Sequence, residues 1–259
     1  MLTVTVVTLN EESNLRRCLS SLGGLANEIV VVDSGSSDGT KAVADEFGAE
    51  WYHLDWQGFR DQKNYALQQA TQPWVLCLDA DEELSEALQG EIAALLAGDD
   101  PAIDGASFPR LSRFFGRWIR HGDWYPDRKL RLFRRDKGQF VGEPGHDRVE
   151  VDGSVTRLNS DLLHYSYPNA NSFLDKLNGF SDAFLEKELA ANKRWSLIQT
   201  ITRPWWRFFR GYVLRRGFLD GFPGYWIAKA TAFSAFVRHS RLYEHERELE
   251  KRHSSDQAS

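Results

Sequence analysis

The stretch Val75-Leu76-Cys77-Leu78-Asp79-Ala80-Asp81-Glu82-Glu83 joins four apolar residues to four carboxylates. The apolar run reads as a buried strand, bounded upstream by Thr71-Gln72-Pro73. It delivers Asp79 and Asp81 at alternate positions. Acids crowded at a strand end repel one another, and burying one unpaired is costly. A cation is therefore expected among them. A hard divalent ion with oxygen ligands fits, since Mg²⁺ binds through one or two carboxylates together with phosphate oxygens. The competing expectation is that these acids cap the helix that follows, because negative charge favours a helix N-terminus.

The elements that must position these acids alternate between strand and helix. Residues 3–9 form a β-branched strand, and residues 12–22 have helical spacing through Leu15, Cys18, Leu19 and Leu22 before Gly23-Gly24. Ile29-Val30-Val31-Val32 is a second apolar strand ending in Asp33. The turn Ser34-Gly35-Ser36-Ser37-Asp38-Gly39 places Asp38 to cap a helix running to Phe47. A short strand over 50–53, a helix through Lys63, Asn64 and Leu67, and a helix over 85–96 complete the pattern. Such alternation implies parallel strands flanked by helices, with ligands bound outside the carboxyl ends of the strands. Thr8, Asn10, Glu11, Asp33, Asp79 and Asp81 all fall at those ends and would line one crevice. Asp33 could hold a nucleoside hydroxyl or base N–H; its alternative is a turn-former.

Composition narrows the class. Hydrophobic and charged contents of 42% and 27% are ordinary for a soluble globular protein. Met1 leads straight into the first strand, and no stretch approaches the roughly 18 apolar residues of a membrane span. Cys18 and Cys77 lack metal-ligand spacing. The expectation is a cytoplasmic protein with reduced core thiols. Neither G-x-G-x-x-G nor G-x-x-x-x-G-K-[ST] occurs, which argues against a dinucleotide dehydrogenase or a P-loop NTPase. The net charge of −5 hides an asymmetry: residues 1–60 carry four basic and nine acidic residues, whereas Lys193 to Arg241 holds ten basic residues and one acid, Asp220. Basic residues confined to one end, with an acidic crevice, argue against nucleic acid as a partner.

Thr8-Leu9-Asn10-Glu11-Glu12, Val31-Val32-Asp33-Ser34-Gly35-Ser36-Ser37-Asp38-Gly39-Thr40 and Leu78-Asp79-Ala80-Asp81-Glu82, in that order and spacing, resemble family 2 glycosyltransferases of the GT-A fold. The resemblance implies an α/β domain with a mixed, mainly parallel sheet, a nucleotide-sugar donor and Mg²⁺ or Mn²⁺. It implies that Thr8, Asn10, Glu11 and Asp33 hold the nucleotide, that Asp79 lies near the ribose, and that Asp81 reaches the metal on the diphosphate. Lys63 matches a basic position near the nucleotide. The most similar branch is the lipopolysaccharide-core glycosyltransferases, which implies a saccharide or glycolipid acceptor.

The remaining candidates follow the central strand. Residues 113–127 mix arginine with aromatic residues, which suits sugar stacking and phosphate pairing, Trp124 among them; the alternative is a loop pinned by its own aromatics. Residues 129–134 alternate as a strand carrying Arg131, a candidate diphosphate contact. An inverting transfer needs a general base near the acceptor hydroxyl, and Phe140-Val141-Gly142-Glu143-Pro144-Gly145-His146-Asp147 offers Asp147 first and Glu143 second. His164, in His164-Tyr165-Ser166-Tyr167, is either a further metal ligand, a diphosphate donor or a core histidine. From residue 171 the pattern turns helical. Trp205, Trp206, Phe208 and Phe209 then interleave with Arg203, Arg207 and Arg210, as in helices lying at a bilayer surface; the alternative is a helix packed on the core with snorkelling arginines.

The sequence thus predicts a catalytic domain over residues 1–167 and a helical basic, aromatic extension over 168–259. The expected activity is metal-dependent inverting transfer of a sugar, UDP-linked, at the inner face of the membrane. A sugar-phosphate nucleotidyltransferase and a non-catalytic nucleotide-sugar-binding or membrane-adaptor protein remain as alternatives.

Overall fold

A computed structural model describes residues 1–142, 147–167 and 169–256. The chain forms two compact units, one of residues 1–112 with 126–166, the other of residues 113–125 with 167–259.

The first unit begins β1 (Leu2–Thr8), α1 (Glu12–Ser20), β2 (Glu28–Asp33), α2 (Thr40–Glu46), β3 (Glu50–His53), α3 (Phe59–Gln69) and β4 (Trp74–Asp79). These strands lie side by side in the order β3-β2-β1-β4, all parallel. The apolar runs of β2 and β4 are uninterrupted because both faces are covered, and in β1 the buried Thr3 and Thr5 alternate with valine. On one face Leu2, Val4, Val6, Val31, Leu76 and Leu78 pack with Leu15, Cys18 and Leu19 of α1. On the other, Val30 and Val32 meet Ala66 of α3, and Val75 and Cys77 meet Phe133 and Phe140. Truncating one such residue, Leu76→Ala for example, removes about 2–5 kcal/mol.

Beyond β4 come β5 (Glu82–Leu84), α4 (Glu86–Gly98), β6 (Gly105–Phe114), β7 (Arg117–Trp118), β8 (Asp127–Arg134), β9 (Gly138–Val141), β10 (Arg148–Val151), β11 (Val155–Arg157) and β12 (Leu162–Tyr167). The sheet continues β4-β8-β6-β12-β5, with β8 antiparallel to both β4 and β6. The sheet is therefore mixed, parallel through its first half. β5 runs antiparallel to β12, with Glu82 opposite His164. Ser85, not an acid, caps α4: its Oγ accepts the Leu88 N–H at 3.2 Å. The expectation that residues 79–83 cap this helix is thus replaced. Glu82 and Glu83 lie in a strand, and Glu83 accepts the Tyr165 hydroxyl at 2.7 Å.

The second unit contains α5 (Ala170–Ala190), α6 (Leu197–Phe209) and α7 (Gly221–Asp256), with a π-helical turn over Arg210–Leu214. Phe114, Ile119 and Ile227 are buried together, with Trp124 and Trp226 packed against them. No helix among the described residues is long and apolar enough to cross a membrane.

Candidate active site

The parallel register sets Thr8 beside Asp33 and Val7 beside Asp79, so β1, β2 and β4 present these residues at neighbouring carboxyl ends. Thr8 is buried, and its hydroxyl has no hydrogen-bond partner among the described residues. Such an orphaned group suits a ligand that fills the crevice. Asn10 follows in the left-handed region (φ 54°), which asparagine tolerates better than most residues. Its backbone N–H donates to Ser36 Oγ at 2.7 Å and its Oδ1 accepts the Ser37 N–H at 2.8 Å, joining the two loops. Glu11 accepts from Asn14 Nδ2 at 2.6 Å, and its backbone N–H donates to Thr40 Oγ1. Asp33 is 3% exposed and accepts from the Gly35 and Ser36 backbone N–H groups and from Ser36 Oγ. The turn-forming role is therefore the one its carboxylate occupies.

A network of ion pairs surrounds the end of β4. Lys63 Nζ lies 2.8 Å from Asp79 Oδ1 and 3.6 Å from Asp147 Oδ2, which places Asp147 beside the central carboxylates through one shared ammonium. Arg131 donates to Asp79 at 2.5 Å and to Glu82 at 3.1 Å. Arg110 donates to Glu82 at 3.2 Å and to Asp127 at 2.7 Å. Burial pushes the Asp79 carboxyl up, but Arg131 and Lys63 outweigh it and hold the group well below the usual carboxylate range. For Arg131, burial acts downward and the flanking Asp79 and Glu82 raise it further above its ordinary value. Arg131, expected as a diphosphate contact, is engaged here with acids of the fold. Its guanidinium is 7% exposed and serves as the counter-ion of two buried acids.

Asp81 belongs to a different pairing. Its Oδ2 lies 3.3 Å from His164 Nε2, and its backbone carbonyl accepts the Tyr165 N–H at 2.9 Å, so the β5–β12 pairing brings the imidazole to the acidic turn. Ser112 Oγ lies 3.2 Å from His164 Nδ1. That contact orients the ring so that Nε2 faces Asp81. Burial acts against ionised Asp81, while the His164 hydrogen bond and charge prevail and lower its pKa. Among the described residues no group of three or more His, Cys, Asp or Glu side chains could hold an ion unaided. Two ligands on one side fit a cation completed by diphosphate oxygens. Asp81 and His164 fit that group.

Two candidates fall elsewhere. Glu143 and His146 lie outside the described residues. Trp124 is part of the second unit, where its ring meets Phe114 at 5.5 Å and stacks on Phe173 at 6.3 Å. The loop pinned by its own aromatics describes its surroundings.

The glycosyl transferase family 2 model matches residues 3–150. The chain belongs to this family. As a family 2 glycosyltransferase it is 32% identical over 250 residues to the lipopolysaccharide core biosynthesis glycosyltransferase LpsC of Rhizobium meliloti, covering 94% of this chain and 92% of that one. It is 30% identical over 249 residues to a glycosyltransferase of Rickettsia felis, covering 92% and 88%. The mannosyltransferase PcManGT of Pyrobaculum calidifontis, solved with GDP-Man and Mn²⁺, superposes with a TM-score of 0.56 at 15% identity, covering 93% and 86%. The fold is therefore GT-A, as the motifs implied, and the nucleotidyltransferase alternative is dropped.

Sequence reasoning passed over several residues of this glycosyltransferase's site. Glu82 was counted only among the acids, yet it is the buried carboxylate that both arginines share. Arg110 and Ser112 lie two apart in β6, hence on one face. Polar residues at that spacing between the buried Phe108 and Phe114 are the signal that could have found them. Gln62 is 1% exposed and ties α3 to the β3 exit through Leu54 O, Asp55 O and Ser34 Oγ.

Proposed function

We propose that the protein transfers a sugar, with inversion, from a nucleoside diphosphate donor to a hydroxyl of a saccharide or glycolipid acceptor such as lipopolysaccharide core. The observation that carries this reading is the link Asp147–Lys63–Asp79, which sets a carboxylate beside the end of the central strand. Thr8, Asn10 and Glu11 border the nucleotide, with Asp33 holding the loop that Asn10 bridges. Lys63 and Arg131 fix Asp79 in its ionised form against a ribose. Asp81 and His164 would hold Mg²⁺ or Mn²⁺, which supplies Lewis-acid stabilisation of a departing diphosphate. Asp147 accepts the acceptor hydroxyl's proton as that oxygen attacks the anomeric carbon from the face opposite the leaving group. The relative named for lipopolysaccharide core synthesis supports the acceptor class, and a lipid-linked acceptor suits a peripheral position on the cytoplasmic face of the membrane. UDP is the expected nucleotide. The GDP-Man bound by the mannosyltransferase of the same fold puts guanine donors in the test as well.

The test is donor turnover. Purified protein with Mn²⁺ is incubated with UDP- and GDP-linked sugars, and free nucleotide diphosphate is followed with and without EDTA. Asp147→Asn is expected to lower turnover about 10²–10⁴-fold, the range of general-base catalysis, while leaving donor affinity unchanged. Turnover surviving in Asp147→Asn would move the base elsewhere, with Glu143 next. Donor binding without any turnover in the native protein would favour a binding module.

A further inference from the structure

Among the described residues of the first unit, Trp56 and Phe59 are the aromatic side chains left exposed, at 53% and 50%. They stand in the loop that joins β3 to α3, Leu54-Asp55-Trp56-Gln57-Gly58-Phe59. Gly58 turns the chain at φ 98°, a conformation that glycine adopts at little cost, and the two rings meet with centroids 4.7 Å apart. The loop is pinned from beneath. Gln62, buried in α3, donates to the carbonyls of Leu54 and Asp55 at 2.9 and 3.1 Å. Apolar rings held uncovered on a fixed loop mark a contact surface whose ordering cost is met before any ligand arrives.

Geometry decides which ring is free. The rings cross at 88°, edge to face, so at least one face of the Trp56 indole is left uncovered whichever ring supplies the edge. Phe59 is engaged further in, where Lys63 Nζ lies 5.4 Å from its ring centroid. The same ammonium lies 3.6 Å from Asp147 Oδ2, so two contacts join the aromatic pair to the carboxylate assigned above as the base. Arg60, beside Phe59, makes a second tie by donating to Gly142 O at 3.2 Å. The neighbours indicate the occupant. Asp55, Gln57, Arg60 and Asp61 are exposed around the rings, and carboxylate, amide and guanidinium groups all suit hydroxyl partners. A pyranose offers C–H groups to the negative face of an indole and hydroxyls around its rim. A nucleobase also stacks on an indole, and the loop begins at Asp33, whose carbonyl accepts the Leu54 N–H at 2.9 Å. What favours the acceptor is that Phe59 and Arg60 tie forward to Lys63, Asp147 and Gly142, on the side where the acceptor hydroxyl must arrive.

We infer that the open face of Trp56, braced by Phe59, is an acceptor subsite that stacks on a pyranose ring of the saccharide whose hydroxyl Asp147 deprotonates. This rests on the transfer reading above and names a contact of its acceptor. The full chain is titrated in a calorimeter, with Mn²⁺ and with or without UDP. The probes are methyl glucoside, methyl galactoside, methyl mannoside and the core oligosaccharide released from lipopolysaccharide by mild acid. The native protein is expected to bind at least one of them. Trp56→Ala is expected to weaken that binding about tenfold, the contribution of one stacked ring, and Trp56→Phe to restore most of it. UDP affinity is expected to be equal in all three proteins, and circular dichroism checks that each variant folds. UDP binding weakened in Trp56→Ala as much as saccharide binding would give the indole to the nucleobase and overturn the proposal. Saccharide binding unchanged in Trp56→Ala, or absent from the native protein, would overturn it too. Donor turnover by the native protein is measured apart. Turnover alongside either of those results would strike the subsite and leave the transfer reading, whereas loss of both turnover and saccharide binding would overturn the two together.

Discussion

Glu82 offers the sharpest perturbation of the site's architecture. Its side chain is fully buried. One oxygen receives Arg110 at 3.2 Å and Arg131 at 3.1 Å, and the other accepts the Asp79 backbone N–H at 3.0 Å. Removing one partner of a buried ion pair costs about 3–5 kcal/mol, because the remaining charge is left desolvated. Here each arginine keeps a second carboxylate, Asp79 for Arg131 and Asp127 for Arg110, so Glu82→Ala should fall near the lower bound, about 3 kcal/mol. At about 2–4 °C per kcal/mol for domains of 150–250 residues, the melting temperature should fall by roughly 6–12 °C. Glu82→Gln keeps an acceptor for the Asp79 amide but sets its own N–H₂ near two guanidinium groups; its loss should be about 2 kcal/mol, the value of a hydrogen bond to a charged group. Urea titrations followed by circular dichroism, with the slope checked for constancy, give both values. A Glu82→Ala loss below about 1 kcal/mol would refute the reasoning, as that is the range of exposed pairs. An order in which Gln is worse than Ala would refute it as well.

Other expectations follow from single side chains. Asn10→Ala should destabilise by about 1–2 kcal/mol through the lost Ser37 contact and a left-handed backbone that alanine disfavours, while Asn10→Gly loses only the former; equal losses would show that the backbone angle is immaterial. Burial pushes the Cys77 thiol up to about 11 and the Cys18 thiol well above its usual value, so neither should react with iodoacetamide at pH 8 until urea unfolds the chain; rapid labelling of native protein would contradict their burial. Burial opposes ionised Glu28, but hydrogen bonds from Thr3 and Thr71 prevail and hold its folded pKa below the ordinary value. Its stabilisation is therefore present above the unfolded pKa of about 4.3 and lost as pH falls through the folded value. Native protein should be more stable than Glu28→Gln at pH 7 and converge with it in acid; a gap that persists at pH 2 would point to packing instead.

The parallel strands were legible because β2 and β4, buried on both faces, show uninterrupted apolar runs, and β1 is rich in β-branched valine and threonine. The acids at their ends were legible for the same reason: a run of Val, Leu and Cys leaves no doubt where Asp79 begins. β5 was not legible. Three residues beginning Glu82-Glu83 carry no strand pattern, and their partner β12 lies some eighty residues away. That one pairing delivers His164 to Asp81, so the more distant half of the site depends on the element local patterns convey least. Arg131 and Trp124 show a second limit. Residue type announces a cation or a ring but not which neighbour it meets. Arg131 meets two buried acids, and Trp124 meets Phe114 and Phe173.

The carboxylates at the end of β4 divide into two sets, and the division bears on which of them can bind a cation. Asp79 and Glu82 are matched by Lys63, Arg110 and Arg131, so their charge is largely neutralised within the fold. Asp81, two residues after Asp79, meets among the described residues only the imidazole of His164, whose charge is conditional. A divalent ion arriving at this turn would have to displace arginines to reach Asp79 or Glu82, an exchange of one buried pair for another with little gain. At Asp81 it displaces nothing permanently charged, and the neutral imidazole becomes a ligand rather than a competitor. The arginines therefore would not compete with a metal at this cluster. They would confine a cation to Asp81 by removing the other acids from contention.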